Sequence, residues 1–334
     1  MSKFKLSPPL HDAVFNVAAS ILKGKLDDDA LASFVEQTNS INLKHIAQCE
    51  SEIRSIIYKA QYELGRRQLW KQRKDHRFVL PWFDLFSGDG FRRERSLRTI
   101  KSGAPTAFLL AILLRRLNDW VPQVREAARI AVKDVLAESD TEIVVSVAWV
   151  LLPVRSTWGR LEDRDLQVLD TITDRESVAS RLADTIERAD SGPAATILRQ
   201  ASRRPALDKF LPRLAKQAVQ PAVRALAHRM LIQRQAVWQV GWQWRWTDKS
   251  LGEREKEPKL SIRSIDHALS EAQLIEAAAN DPAASVRRVA GDGLITKKGN
   301  LTEFELEIAR QLETDPYPSV AERGRFVLQD DASS

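Results

Sequence analysis

Apolar residues recur along this chain in steps of three and four, and four segments share a finer pattern. Each has a small or polar turn, then valine, arginine one residue on, a small residue four on and an aliphatic residue eight on. The first runs Val124, Arg125, Ala128, Val132 after Asn118-Asp119-Trp120-Val121-Pro122-Gln123. The second runs Val223, Arg224, Ala227, Leu231 after Gln220-Pro221-Ala222. Asp281-Pro282 precedes Val286, Arg287, Ala290 and Leu294. Asp315-Pro316 precedes Val320, Ala321, Gly324 and Leu328, where the arginine is lost and the small residue is glycine. Positions zero, four and eight share one face of a helix, so each segment predicts a helix that buries this stripe, with a small residue where a neighbour comes closest. We expect aspartate to cap the helices after Asp281 and Asp315, with proline in the first turn.

A helix of matching periodicity precedes each motif helix, at Pro105–Leu117, Leu207–Ala218, Ser270–Ala279 and Leu301–Leu312. Two degenerate units fit between, at 142–172 and 176–202. The first residues read differently: a helix starts near Leu26-Asp27-Asp28-Asp29-Ala30, and a long helical stretch covers about 43–74. One segment leaves the helical period. Trp242, Trp244 and Trp246 alternate with polar residues as on an extended strand.

Spacing turns the motif into a repeat. Val286 to Val320 is 34 residues and Val124 to Val223 is 99, three units of 33. Val223 to Val286 is 63, about 29 more than one unit, which places an insertion at about 236–265. A period in the thirties with two helices per unit is the signature of a helical solenoid. The motif resembles the HEAT-repeat superfamily, whose second helix begins with an aspartate or asparagine turn followed by Val-Arg and a small residue. The resemblance covers residues from about 90 onward and is strongest at 118–132 and 281–294. It implies an all-α fold: a right-handed superhelical stack of antiparallel helix pairs, a HEAT-like α-solenoid over 88–334, with 1–87 as an N-terminal helical cap. It also implies that Arg125, Arg224 and Arg287 bond aspartates of neighbouring turns, Asp119 and Asp281 among them.

Composition narrows the function. The chain has 334 residues, 43% hydrophobic and 29% charged, with 13 glycines and the single cysteine Cys49. One cysteine excludes an internal disulfide and a multi-cysteine metal site, so a reducing compartment is expected, with the cytoplasm as default. The longest apolar runs fall far short of the roughly 20 residues needed to cross a bilayer. Pro8-Pro9-Leu10-His11-Asp12 interrupts any secretory signal.

Charge is local. Between Arg66 and Lys101 eleven lysines and arginines face four acids, a net +7 against +6 for the whole chain. Arg66, Arg67, Trp70, Arg73, Lys74, Arg77, Arg92, Arg93, Arg95 and Arg98 are therefore candidates for contact with a polyanion, either nucleic acid or an acidic protein surface. Helical charge runs also serve as solvated faces, and no base-reading motif accompanies this one. The second candidate is the insertion, where four of nine tryptophans lie in 238–248. Trp242, Trp244 and Trp246 with Arg245 could stack bases, cover a ligand or anchor a protein, while the commoner use of such a row is to pack the insertion onto its own helices.

The five histidines show no i, i+4 metal pair, and no phosphate loop or nucleophile elbow is present, so no catalytic, cofactor or metal residue is assigned. His45 and Cys49 stand four apart, a pair with an ordinary structural explanation. The expected function is a non-enzymatic scaffold for a macromolecular partner, a protein or also nucleic acid, with no small-molecule substrate identified. The alternative comes from a likeness in fold and composition to HEAT-like DNA glycosylases. It would draw attention to Asp119 beside Trp120, although no active-site motif of that family is matched.

Overall fold

The structure is a computed structural model that describes residues 5–65 and 79–329. Among them are sixteen α-helices and one two-stranded antiparallel sheet. The chain divides into two compact units, Met1–Val178 and Ala179–Ser334. The first holds α1 (Pro8–Leu22), α2 (Asp28–Thr38), α3 (Ile46–Gly65), α4 (Gly90–Thr99), α5 (Ala107–Arg115), α6 (Pro122–Glu138), α7 (Thr141–Leu151) and α8 (Asp163–Asp170). The boundary falls in the first turn of α9 (Glu176–Arg188), most of which opens the second unit. It continues with α10 (Ala194–Ala201), α11 (Leu211–Gln217), α12 (Pro221–Ile232), strands β1 (Gln235–Asp248) and β2 (Glu253–Ser264), then α13 (Glu271–Ala279), α14 (Ala284–Thr296), α15 (Glu303–Glu313) and α16 (Pro318–Leu328).

Packing follows the motif stripes. Val124, Ala128 and Val132 are fully buried, as are Val223 and Ala227, and Val286, Ala290 and Leu294. In the second unit α11 packs on α12, α13 on α14 and α15 on α16, while α12, α14 and α16 pack in succession. In the first unit α4 packs on α6, α6 on α8 and α5 on α7, and α1 packs on both α2 and α3. Glycine at position 324 has a direct cause: a Cβ there would lie 2.4 Å from the Glu313 nitrogen and 2.7 Å from the Ala309 carbonyl oxygen. Only glycine lets α16 lie so close to α15.

Helix starts are largely those the sequence predicts. Asp27 caps α2 by accepting the Ala30 N–H at 2.9 Å. Pro122 and Pro221 sit at the first positions of α6 and α12, where a missing N–H costs nothing. Asp281 and Asp315 differ from expectation. Helix α14 begins at Ala284 and α16 at Pro318, so Pro282 and Pro316 precede the helices and neither aspartate is the cap. Each instead accepts the N–H two residues on, Ala283 at 2.8 Å and Tyr317 at 2.9 Å, a closed turn that Asp119 repeats with Val121 at 3.0 Å.

That turn leaves the carboxylate free to receive an arginine from the preceding repeat. Arg287 donates Nε and Nη2 to Asp315 at 2.6 and 3.1 Å, and Nη1 to the carbonyls of Asp281 and Pro282 at 3.0 and 2.8 Å. Arg224 does the same with Asp281, at 2.7 and 2.9 Å, and with the carbonyls of Ala218 and Val219. Arg125 bonds the Asp119 carbonyl but reaches Glu162 rather than an aspartate. The Asp281 turn is thereby clasped twice, through its carboxylate by Arg224 of the repeat before and through its carbonyls by its own Arg287. Fork-shaped guanidinium groups suit this task, because two parallel bonds fix direction as well as distance.

The clasp reveals a repeat that the sequence pattern hides. Arg93 donates to Asp119 at 3.0 and 2.8 Å and to the carbonyls of Ser87 and Gly88 at 2.8 and 3.1 Å. Helix α4 therefore carries the motif with Arg92 in the valine position, Ser96 in the small one and Ile100 in the aliphatic one, both of the last two buried. No described helix is long and apolar enough to cross a membrane.

Candidate partner-binding site

Helix α12 ends in a tight reversal. Arg234, the one described non-glycine residue with positive φ (51°), turns the chain into β1, and its carbonyl accepts the Ile265 N–H at 2.8 Å where β2 returns. The 236–265 insertion is thus a hairpin whose two ends meet. Its far turn is closed by Asp248, which accepts the N–H groups of Ser250 at 2.7 Å and Leu251 at 3.1 Å, with Gly252 at φ +70°. At the foot, Arg263 donates to both oxygens of Asp208 at 2.7 Å and to the Ser202 carbonyl, and the Arg203 guanidinium lies 5.5 Å from the Trp238 ring. The hairpin is fastened at its base and stands clear beyond it.

Register decides which side chains share a face. Trp242 pairs with Pro258, Trp244 with Lys256 and Trp246 with Arg254, while Gln243 pairs with Glu257 and Arg245 with Glu255. Successive side chains point to opposite faces of a strand. One face therefore carries the three indoles with Arg254, Lys256 and Pro258, and the other carries Gln243, Arg245, Glu255 and Glu257. Leu260 and Ile262 follow Pro258 by alternation along β2 and extend the aromatic face toward the foot, while a bulge at Val240 shifts the pairing by one residue so that Gln239 and Val237 stand opposite them.

The indoles do not pack the hairpin onto the helices. Trp242, Trp244 and Trp246 are 59%, 57% and 52% exposed, and Leu260 and Ile262 are exposed as well. Cations lie over two of the rings, Arg254 at 4.5 Å from Trp244 and Lys256 at 5.4 Å from Trp242. Such contacts supply an isolated hairpin with cross-strand cohesion that a buried face would otherwise give. Near the foot the same face opens into a groove of about 390 Å³, lined by Pro258, Leu260 and Val237 on the hairpin and by Arg199, Leu226 and Arg229 on α10 and α12.

Of the residues singled out in the sequence, the structure gathers Trp242, Trp244 and Trp246 on one face and puts Arg245 on the opposite one, 3.6 Å from Glu257. Arg254 and Lys256, hidden in a run of mixed charge, emerge on the aromatic face only once the register is known. Arg66, Arg67, Trp70, Arg73, Lys74 and Arg77 lie outside the described residues. Within the rest of that segment, Arg93 is fully buried, Arg92 bonds Asp84 at 2.7 Å, Arg98 bonds Glu94 at 2.9 Å, and Arg95 is exposed. Arg93 thus serves the clasp and presents no charge to a partner.

Asp119 is also committed internally. Its carboxylate accepts from Arg93 twice, from Arg116 at 3.1 Å and from the Val121 N–H. Burial pushes its carboxyl up, but the Arg93 bond, the Val121 N–H and the two guanidinium charges outweigh it and hold the group below its ordinary value. With about four lone-pair sites filled, no acceptor is left to take a proton or attack a substrate. Trp120 beside it is exposed, with the Arg93 guanidinium 5.8 Å from its ring. Cys49 is buried, and burial pushes its thiol up, which disfavours the nucleophilic thiolate.

No protein-family model matches the chain, and no curated protein matches it.

Proposed function

We propose that this chain is a non-enzymatic binding scaffold of the HEAT-like helical-repeat kind, working in the cytoplasm, and that the aromatic face of the β1–β2 hairpin is where a macromolecular partner docks. The observation that carries the reading is the exposure of Trp242, Trp244 and Trp246 on one face. Indoles are large, stiff and apolar with one donor, which is why tryptophan, with arginine, dominates binding hot spots. Covering the exposed half of each ring would contribute roughly 2 kcal/mol. The foot supports the reading too, since the Arg263–Asp208 bonds fix the face before a partner arrives and reduce the entropy lost on binding.

The test is a pull-down from lysate of the source cells with the wild-type chain and with a variant carrying W242A, W244A and W246A, each with and without nuclease. A partner held by the wild type and lost by the triple variant is expected. Equal recovery by both proteins would move the binding surface away from the hairpin.

A further inference from the structure

We infer that the aromatic face of the hairpin binds single-stranded nucleic acid, its bases stacked on Trp242, Trp244 and Trp246 and its phosphates held by Lys256 and Arg254. The inference rests on the preceding reading of the hairpin as a docking surface and names the chemistry of the occupant.

Three observations point to it. The first is spacing: alternate residues on a strand stand about 6.7 Å apart, twice the roughly 3.4 Å step of stacked bases. One base then fits beside each ring once Arg254 and Lys256 swing from the faces of Trp244 and Trp242 to the phosphates. The second is the sorting of charge. Glu255 and Glu257 belong to the opposite face, whereas Arg254 and Lys256 share the face of the indoles, so this side is cationic and aromatic without an acid among its paired residues. A partner that is itself anionic and aromatic at short regular intervals matches it, and a nucleic-acid strand has that alternation. The third is continuity. The groove at the foot shares Pro258 and Leu260 with the aromatic face, and its helical wall adds Arg199 and Arg229, with no acidic residue in the lining. Arg229 lies 3.6 Å from Asp292, so its charge is partly balanced there.

The arrangement fits a membrane surface less well. Arg254 and Lys256 sit over the rings rather than around them, so sinking the indoles into a bilayer would carry both charges with them. Duplex DNA is disfavoured because its bases already stack on one another and present no free face. The occupant is an unpaired strand, read without strong sequence preference.

The experiment is fluorescence anisotropy of a labelled oligothymidylate of about 12 nucleotides, within the site sizes such surfaces cover, titrated with the full chain at about 50 and 200 mM salt. Binding should appear at the lower salt, weaken at the higher and quench indole fluorescence. W242A, W244A and W246A should each weaken it at least about fivefold, as the loss of one stacked base predicts, and the corresponding phenylalanine variants should recover most of it. R254E and K256E should weaken binding and flatten the salt dependence, by roughly 0.7 in log–log slope for each phosphate no longer neutralised. Unchanged circular dichroism and unfolding midpoints would show that these exposed substitutions leave the fold intact. Absence of binding at low salt, binding indifferent to the tryptophan variants, or tight association with phosphatidylserine vesicles in place of the oligonucleotide would each overturn the inference. If the triple tryptophan variant loses a nuclease-resistant protein in the pull-down while the oligonucleotide fails to bind, the docking surface stands and its nucleic-acid occupant falls. Failure of both experiments removes both.

Discussion

At the residue scale, one carboxylate in the first unit gathers an unusual amount of positive charge. Glu50 on α3 bonds Arg54 and Arg115 at 2.9 Å each and also pairs with Arg116. Burial pushes its carboxyl up, but the charges of Arg116, Arg115 and Arg54 outweigh burial and hold it at about 2. A depressed folded value means that the unfolded chain binds the proton first. Stability from Glu50 is then complete above its ordinary value near 4.5 and is lost as pH falls toward 2. The shift corresponds to something on the order of 3 kcal/mol. E50Q should flatten the acid limb of a urea-midpoint-versus-pH curve over that window; an unaltered limb would mean that other carboxylates control it. Asp119 offers a second measure. D119A leaves Arg93 and Arg116 buried without their shared carboxylate, and a loss of about 3–5 kcal/mol in denaturant unfolding is expected.

Elements show where a residue pattern is informative and where it stops. The stripes at Val124, Val223 and Val286 are legible because helical periodicity is local. The same holds for the paired first helices and for the degenerate units, which appear as α7 to α10. The α4 repeat is not legible, since Arg92 replaces the valine and the helix then reads as a piece of basic segment. Its identity lies in what Arg93 bonds, a relation 26 residues away in sequence. The hairpin is half legible. Alternation announces a strand, but the partner strand is a run of mixed charge whose meaning depends on register, and neither the bulge at Val240 nor the placing of Lys256 can be read from one strand alone. Proline positions mislead for a related reason: Asp-Pro reads as cap and first turn, while the backbone spends two residues closing an aspartate turn before the helix begins. The closeness of α15 and α16 is testable at this scale. G324A places a methyl group against backbone atoms that cannot step aside, so a loss of about 1–3 kcal/mol is expected, read from the unfolding midpoint. A neutral result would mean that α16 shifts to accommodate it.

For the whole molecule, the hairpin is an addition to a helical framework. The Ile265-to-Arg234 bond joins its two ends, and much of its area is solvent-facing on both sides. Replacing residues 237–262 by a short glycine-serine linker should therefore leave helical circular dichroism close to that of the remaining chain and lower the midpoint only modestly. A cooperative collapse of the helices would show that the packing of β1 on α10 and α12 holds those helices in place.

The arginine clasp has a direction, and direction has a consequence in time. In the second unit Arg224 reaches forward to Asp281, whose turn carries Arg287, which reaches forward to Asp315; at the next equivalent position stands Ala321. When the Asp315 turn opens, only Arg287 loses a partner, and Arg224 keeps its own until the Asp281 turn opens in its turn. Opening should thus travel upstream one turn at a time. Native-state hydrogen exchange would register it as a staircase of protection rising from α16 to α14 to α12, and R287A would erase the step between the first two.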